Sequence, residues 1–389
     1  MDFDLPGDDD PRRADVRAWL EANPRPSGRQ LAEAGYVTPH WPKPWGHDAD
    51  PIHQLIIDDE LRHAGVSRPM NPIAIGWAGP TILHAGTQEQ KDRYLLPMLS
   101  GEEIWCQLFS EPGAGSDLAN LGTRAVRDGD TYVINGQKIW TSLGHVSKYG
   151  ILIARTNPDA PKHKGVSYFI CPMDTPGIEI RPIVEMTGSH TFNEVFFDDV
   201  RIPAENLVGD ENEGWGLAKV TLGNERVSLS GEGALWGRGP TANDLIDIVR
   251  QKGVADPVLR QRIAQLYIES EVLRLIRLRT VTAKIQGKQP GAEASVRKAL
   301  ADEHGQKIMG LAKDLAGAAG MLNDRGPLGA GSGEWAYGYL FAPALTIGGG
   351  TSEVQRNIIA ERVLGLPHDI DVETGKTWSE ANAASSAIR

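Results

Sequence analysis

Apolar residues recur at three- and four-residue spacing at both ends of the chain, and in short β-rich runs through its middle. Near the N-terminus PRRADVRAWLEAN places Val16, Trp19 and Leu20 at helical spacing. DPIHQLIIDDELRHAG does the same with Ile52, Leu55, Ile56 and Leu61, and TQEQKDRYLLPMLSGEE with Tyr94, Leu95 and Met98. GYVTPHWPKPWG (35–46) has too many prolines for a helix and reads as an ordered loop. From about 106 to 212 the runs KYGILIAR, GVSYFIC, GIEIRPI and NEVFFDDVRI are strand-like, and Asn135-Gly136 between TYVI and QKIWTS predicts a hairpin turn. From about 213 four long helical segments follow: GLAKVTLGNERVSLSGEGALW, TANDLIDIVRQ, DPVLRQRIAQLYIESEVLRLIRLRTVTAKIQ and GAEASVRKALADEHGQKIMGLAKDLAGAAGML. SEVQRNIIAERVLG predicts a last helix, and the small polar tail after Pro367 is expected to fray. The fold class that follows is a multidomain α+β chain. It has an N-terminal α-helical domain over 1–105, a central β-sandwich or barrel domain over 106–212, and a C-terminal four-helix bundle over 213–389.

Composition narrows the function. The chain has 389 residues, 40% hydrophobic and 23% charged, which suits an ordered globular protein. Its net charge of −11, with no Lys/Arg run, argues against nucleic acid as a partner. No apolar run approaches the length of a membrane span, and the acidic start MDFDLPGDDDPRRADV has no signal-peptide core. Two cysteines, Cys106 and Cys171, make neither a disulfide scaffold nor a Cys-rich metal site, and the ten histidines lack metal-ligand spacing. A cytoplasmic protein without a metal is the expectation.

Several motifs carry candidate chemistry. PGAGS (112–116) offers backbone amides and the hydroxyls of Ser110 and Ser116 to a phosphate or flat cofactor, and reads equally as a tight turn. It is not a dinucleotide fingerprint, because the third glycine would fall at Leu118, and it lacks a P-loop ending. Gly348 to Gly350 precede Thr351, and Ser352 and Gln355 stand at capping-box spacing, so a helix start or simply a glycine turn is expected there. Glu225-Arg226 has the form of a solvated surface pair. Trp140, in KIWTS, is the tryptophan to set over a flat cofactor.

Taken in order, GYVTPHWPKPWG, GTQEQKDRYLLPMLSGEEIWCQLFSEPGAGSDLANLGTRA, INGQKIWTSLG, VFFDDVRIPAENLVGDENEGW and GGGTSEVQRNIIAERVLGLP resemble the acyl-CoA dehydrogenase family, in its actinobacterial form. The resemblance covers nearly the whole chain. It implies FAD, an acyl-CoA thioester substrate and α,β-desaturation. A carboxylate takes the α-proton, the β-hydride passes to flavin N5, and a backbone N–H with a flavin hydroxyl polarises the thioester carbonyl. The family's flavin contacts map to Gln107, Phe109 and Ser110 at the ring edge and to Gly115 and Ser116 at the pyrophosphate. Trp140 and Ser142 map to the ring itself, and Thr351 and Glu353 to the helix start on the adenosine side. Arg226 matches an arginine near the CoA or acyl group, and Ser116 is also placed near the pantetheine.

The sequence departs from the family twice. Many members carry the catalytic glutamate directly before the Gly-Thr of the C-terminal motif, where this chain has Gly349; the glycine keeps its N–H but brings no base. The family's other location for the base, on a bundle helix, maps to Glu225. The Arg-x-Thr-Phe-Gly that reaches a neighbouring subunit's FAD is replaced by VRQKGVADPVLRQ, with Arg250 and Gln261 at roughly the matching positions. The resemblance implies a homodimer or homotetramer that passes electrons to an electron-transferring flavoprotein. Two further readings stay open: a catalytically reduced partner subunit of a heteromeric enzyme, and an oxidase or monooxygenase on the same fold. The volume freed at Gly349 is compatible with a branched or bulky acyl group.

Overall fold

The computed structural model describes residues 6–228, 234–235, 239–253, 256–285, 291–322 and 333–386. They form two compact units, one from residues up to 185, 190–224 and the segment after 369, the other from 186–189 and 225–369.

The first unit opens with five helices: α1 (Pro11–Ala22), α2 (Gly28–Glu33), α3 (Pro51–His63), α4 (Gly79–Ala85) and α5 (Gln88–Ser100). All but α4 start at a side-chain cap. Asp10 accepts from the Arg12 N–H, Asp50 from the His53 N–H, and Thr87 with Gln90 makes a reciprocal capping box. The apolar spacing buries Val16 and Leu20 on α1 and Leu95 and Met98 on α5. On α3 the fully buried positions are Ile56, Ile57 and Leu61, while Ile52 and Leu55 are only half-buried. Arg13 of α1 is buried against Glu60 of α3 at 2.5 Å, which locks the two helices together.

Eight strands follow: β1 (Trp105–Leu108), β2 (Arg124–Asp128), β3 (Thr131–Ser142), β4 (Tyr149–Arg155), β5 (Val166–Pro172), β6 (Ile178–Pro182), β7 (Phe192–Pro203) and β8 (Leu207–Val208). They make one sheet in the order β6-β7-β3-β2-β4-β5-β8, with β1 parallel to β4. Residues from both ends of that order, Phe169 and Cys171 on β5 and Val195 and Val200 on β7, share one apolar core with Leu108, Tyr132 and Leu152. A sheet whose distant strands pack on each other must fold over on itself, which gives the sandwich-like middle its inside.

Asn135-Gly136 is not a hairpin turn. β3 runs straight through it and shifts register against β7 between Ile134 and Gly136. Gly136 takes φ +151°, and a Cβ there would lie 2.5 Å from Thr123 Oγ1, so the glycine allows a close approach rather than a reversal. The reversal lies at Gly129-Asp130, with Gly129 at φ +62° and the flanking Asp128 opposite Thr131.

Helix α6 (Gly214–Ser228) starts in this unit, where Thr221 Oγ1 meets Thr81 Oγ1 at 2.8 Å and the Tyr168 hydroxyl at 3.0 Å. The second unit holds α7 (Ala242–Lys252), α8 (Pro257–Ile285), α9 (Glu293–Ala316), α10 (Gly333–Phe341) and α11 (Ser352–Ile358). α9 lies at its centre, packed against α7, α8, α10 and α11, and Leu245, Leu266, Ile308, Met309 and Leu345 form the core. The last helix is shorter than its sequence pattern, because Ile359–Val363 continue as a π turn.

The tail does not fray as expected. Residues Trp378–Ser386 form α12 in the first unit. Trp378 Nε1–H donates to the Asn120 carbonyl at 3.3 Å, and its ring lies 4.9 Å from the guanidinium carbon of buried Arg155. Ser379 N–H donates to the Pro158 carbonyl, and Lys162 pairs with Glu373 at 2.6 Å. One large aromatic therefore fixes a segment whose other residues are small and polar. Trp378→Ala is expected to lower unfolding stability by about 1–3 kcal/mol and to make the segment after Pro367 the first site of limited proteolysis; an unchanged cleavage pattern and urea midpoint would contradict this.

Candidate functional site

Two glycine-rich segments carry the candidate chemistry, one in each unit. In the first, Gln107 lies on β1 opposite Ile151, and the chain leaves the strand through Phe109 and Ser110. The Phe109 ring is buried against Tyr168, so any cofactor contact it makes runs through its backbone. Glu111 and Ala114 exchange two backbone hydrogen bonds of 3.0 Å, closing a tight turn with Pro112 and Gly113 at its corners. Beyond it Gly115 and Ser116 are exposed, and a Cβ built on Gly113 or Gly115 would meet nothing within 4 Å. The loop faces open space on the side a phosphate would occupy.

A buried ion pair holds this loop. Lys138 on β3 is fully buried, and its Nζ donates to the Phe109 carbonyl at 2.9 Å and to Glu111 Oε1 at 2.8 Å. Glu111 also accepts from the Gly122 and Thr123 N–H groups at 2.7 and 2.9 Å. Burial pushes the Glu111 carboxyl up, but Lys138 and these donors outweigh it and hold it below its ordinary value. Burial lowers the Lys138 ammonium against the pull of Glu111.

Further along β3, Ile139 N–H donates to the Ser110 carbonyl at 2.9 Å, and the strand then bulges. Trp140 takes φ +62° and stands 58% exposed, with Phe192 edge-on at 6.1 Å. A tryptophan in the left-handed region with its indole uncovered is a strained arrangement of the kind found at ligand sites. Ser142 follows on the same strand, opposite Phe192. Thr141 Oγ1 and Asn193 Oδ1 beside it are buried without a hydrogen-bond partner among the described residues. The hydroxyls of Ser110, Ser116 and Ser142 likewise have no partner among the described residues. An uncovered indole, free hydroxyls and an open glycine loop along one strand-and-loop edge fit a flat ring carrying phosphates.

In the second unit the glycine turn 348–350 precedes α11. Gly349 and Gly350 take φ +66° and +91°, which other residues adopt only with strain. The helix cap is Thr351, whose Oγ1 accepts the Val354 N–H at 3.2 Å, and not Ser352. Gln355 is no capping-box partner either. It is fully buried and turns back, its Nε2 donating to the carbonyls of Gly349 at 3.2 Å and Gly350 at 3.3 Å. The carbonyls of a left-handed glycine turn need donors, and this outweighs the box. Glu353 is exposed, 3.8 Å from Arg356.

Glu225 and Arg226 fall in the last turn of α6, and their side chains lie outside the described residues. Arg250 ends α7, largely exposed, 3.4 Å from Asp247. Gln261 instead lines an open groove of about 710 Å³ along α8, α9 and α10, beside the Arg262–Asp314 pair. Arg250 does not line that groove, so the two residues do not form one site there.

Sequence reasoning missed the buried charges. Lys138 sits in a strand, and Lys298 and Asp302 of α9 pair at 2.6 Å, each nearly inaccessible. Burial raises the Asp302 carboxyl to about 6, with Lys298 opposing. The available signal was a Lys–Asp pair four residues apart in a run of small residues.

Comparison with known proteins identifies the family. Family models for the N-terminal, middle and C-terminal domains of acyl-CoA dehydrogenases match residues 10–102, 106–200 and 212–364. The chain belongs to the acyl-CoA dehydrogenase family, FAD-dependent oxidoreductases. It is 43% identical over 338 residues to acyl-CoA dehydrogenase FadE34 of Mycobacterium tuberculosis, a match that spans 87% of this chain but 45% of that protein. Among solved structures it is similar to the Tcur3481-Tcur3483 steroid ACAD, with a TM-score of 0.79, 32% identity, and coverage of 95% of this chain and all of that one. It is also similar to the ChsE4-ChsE5 complex of Mycobacterium tuberculosis, with a TM-score of 0.77, 33% identity and the same coverage. No helix among the described residues is long and apolar enough to cross a membrane.

Removing Lys138 alone would strand a buried carboxylate. Lys138→Met is expected to cost about 3–5 kcal/mol, and adding Glu111→Gln to restore much of it. Because the Glu111 carboxyl sits below its ordinary value of 4.5, its contribution is full above that pH and is lost as pH falls through it. Urea unfolding at pH 7 and pH 4 checks this: acid should weaken the wild type more than the double variant.

Proposed function

We propose that the chain catalyses α,β-desaturation of a bulky, ring-bearing acyl-CoA, with Glu225 as the α-proton base. The observation that carries this reading is Gly349: the turn lacks the side chain that serves many members as base, while keeping a backbone N–H. A thioester α-proton is too weakly acidic for an unaided carboxylate, so the carbonyl must be polarised as the proton leaves. The Gly349 N–H does that, and Glu225 takes the proton. Ser110, Gly115, Ser116, Trp140 and Ser142, with Gln107 and Phe109 behind them, hold FAD, and Thr351 and Glu353 face its adenosine side. FAD, when bound, supplies the two-electron acceptor that takes the β-hydrogen as hydride. Arg226 and Ser116 hold the CoA thioester. The steroid ACAD among the similar structures supports a fused-ring acyl group.

Anaerobic addition of ring-bearing acyl-CoA thioesters should bleach the flavin. Glu225→Gln should retain flavin and slow bleaching by about 10²–10⁴-fold; undiminished bleaching would assign the base elsewhere. Slow reoxidation by oxygen and fast reoxidation by an electron-transferring flavoprotein separate this dehydrogenase from an oxidase.

A second reading is favoured by a specific observation: the similar FadE34 is about twice as long as the match, and ChsE4-ChsE5 is a two-chain complex. In this reading the chain is one subunit of a heteromeric enzyme. Helix α8 leaves Tyr267, Ile268, Val272 and Leu275 exposed, an apolar face suited to another subunit, identical or not. One FAD per chain in the isolated protein supports a homo-oligomer; fewer, restored by a second chain, supports the heteromer.

A further inference from the structure

The glycine turn that bears Gly349 cannot hold its own shape. Three glycines carry no side chains to pack, and two of them adopt left-handed backbone angles. The turn is bracketed from behind. Gly348 N–H donates to the Ala344 carbonyl at 2.9 Å on one side of Gly349. On the other side Gln355 holds the carbonyls of Gly349 and Gly350, and Lys298 Nζ donates to the Gly350 carbonyl at 3.0 Å and the Leu345 carbonyl at 3.4 Å. Lys298 is 3% exposed, and its charge is balanced by Asp302, 4% exposed, one helical turn along α9. With the peptide planes on both sides fixed inward, the Gly349 N–H is left without a backbone acceptor among the described residues.

We propose that Lys298, with Asp302 as its buried counter-ion, is a positioning residue that holds the glycine turn so that the Gly349 N–H is aimed at the thioester carbonyl. The ammonium acts at one remove. It touches no substrate, but it fixes the carbonyl of Gly350 and thereby the angles of the turn. A buried pair is a poor source of stability compared with an apolar pair of similar size, but it is the arrangement that can supply a cationic donor to backbone carbonyls inside a core. The polarising half of the mechanism rests on the desaturation reading above; the anchoring of the turn does not.

The test uses the full-length flavoprotein carrying Lys298→Met with Asp302→Asn, which removes both charges and leaves no buried ion alone. Hydrogen exchange of the peptide spanning 345–355 should rise at least tenfold in the variant. Acyl-CoA affinity, read as perturbation of the flavin spectrum, should hold within about twofold, while the first-order bleaching rate falls by about 10²-fold. Lys298→Arg keeps the charge and the fold. Its longer guanidinium should displace the Gly350 carbonyl, raising exchange and slowing bleaching to a lesser degree. Unchanged exchange in both variants overturns the anchoring, whatever the activity. Raised exchange with wild-type bleaching overturns the aiming of Gly349. A wild type that no acyl-CoA bleaches sinks the desaturation reading instead, and the exchange arm still decides the anchor.

Discussion

Buried backbone carbonyls must find donors, and in this protein that constraint falls hardest on the glycine-rich segments. Both carry glycines where side chains could otherwise pack. Both are served from behind by a lysine inside the core. Lys138 reaches the Phe109 carbonyl where the chain enters PGAGS, and Lys298 reaches the Gly350 carbonyl where the triple glycine leads into α11. Each lysine is balanced by a carboxylate, Glu111 at 2.8 Å and Asp302 at 2.6 Å. The two pairs lie in different units and on different secondary structure, so the likeness comes from a shared physical demand. A loop that approaches a ligand closely cannot also carry the bulk that would rigidify it.

The pairs differ in how their charges are held. Glu111 accepts two backbone N–H groups besides its lysine, and its carboxyl sits below the ordinary range. Asp302 has less help: burial raises its carboxyl to about 6 against the pull of Lys298, and Glu303 adds a neighbouring like charge. Folded-state protons are therefore bound more tightly at Asp302 than in the unfolded chain, so its contribution to stability is full below about 4 and falls as pH rises toward 6. Glu111 runs the opposite way. As pH falls the glycine turn therefore loses its counter-charge first, near 6, while the loop in the strand-rich unit keeps its carboxylate until below 4.5.

The helices were legible because their information is local. Asp10, Asp50 and Thr87 set their own helix starts, and apolar spacing identifies the inner faces of α1 and α5. The motifs around PGAGS, KIWTS and GGGTSEV were legible as chemistry because they match a family in order and spacing. What was not legible depended on partners far away in sequence. Asn135-Gly136 has the composition of a turn, but Thr123 crowds Gly136 and β7 pairs on both sides of it, so tertiary contact overrides the local preference. The tail has no periodic pattern, yet Trp378 finds Arg155 more than two hundred residues earlier. Gln355 was read by its spacing to Ser352, whereas the glycine carbonyls that claim it are defined only once the turn is built.

The loss of a carboxylate at Gly349 has a consequence for the whole turn. A glutamate there would have brought a side chain whose packing could help fix the backbone. With glycine the position gains φ +66° without strain and forfeits that support, so the orientation of its N–H must come from groups outside the turn. Gln355 and Lys298 are groups present, and both contact the turn through its carbonyls. In the proposed mechanism the base and the polarising donor fall on two elements: α6 would carry Glu225, and the α9–α11 contact holds the turn of Gly349. On that reading the base no longer shares a residue with its partner N–H, so the two can be placed independently of each other.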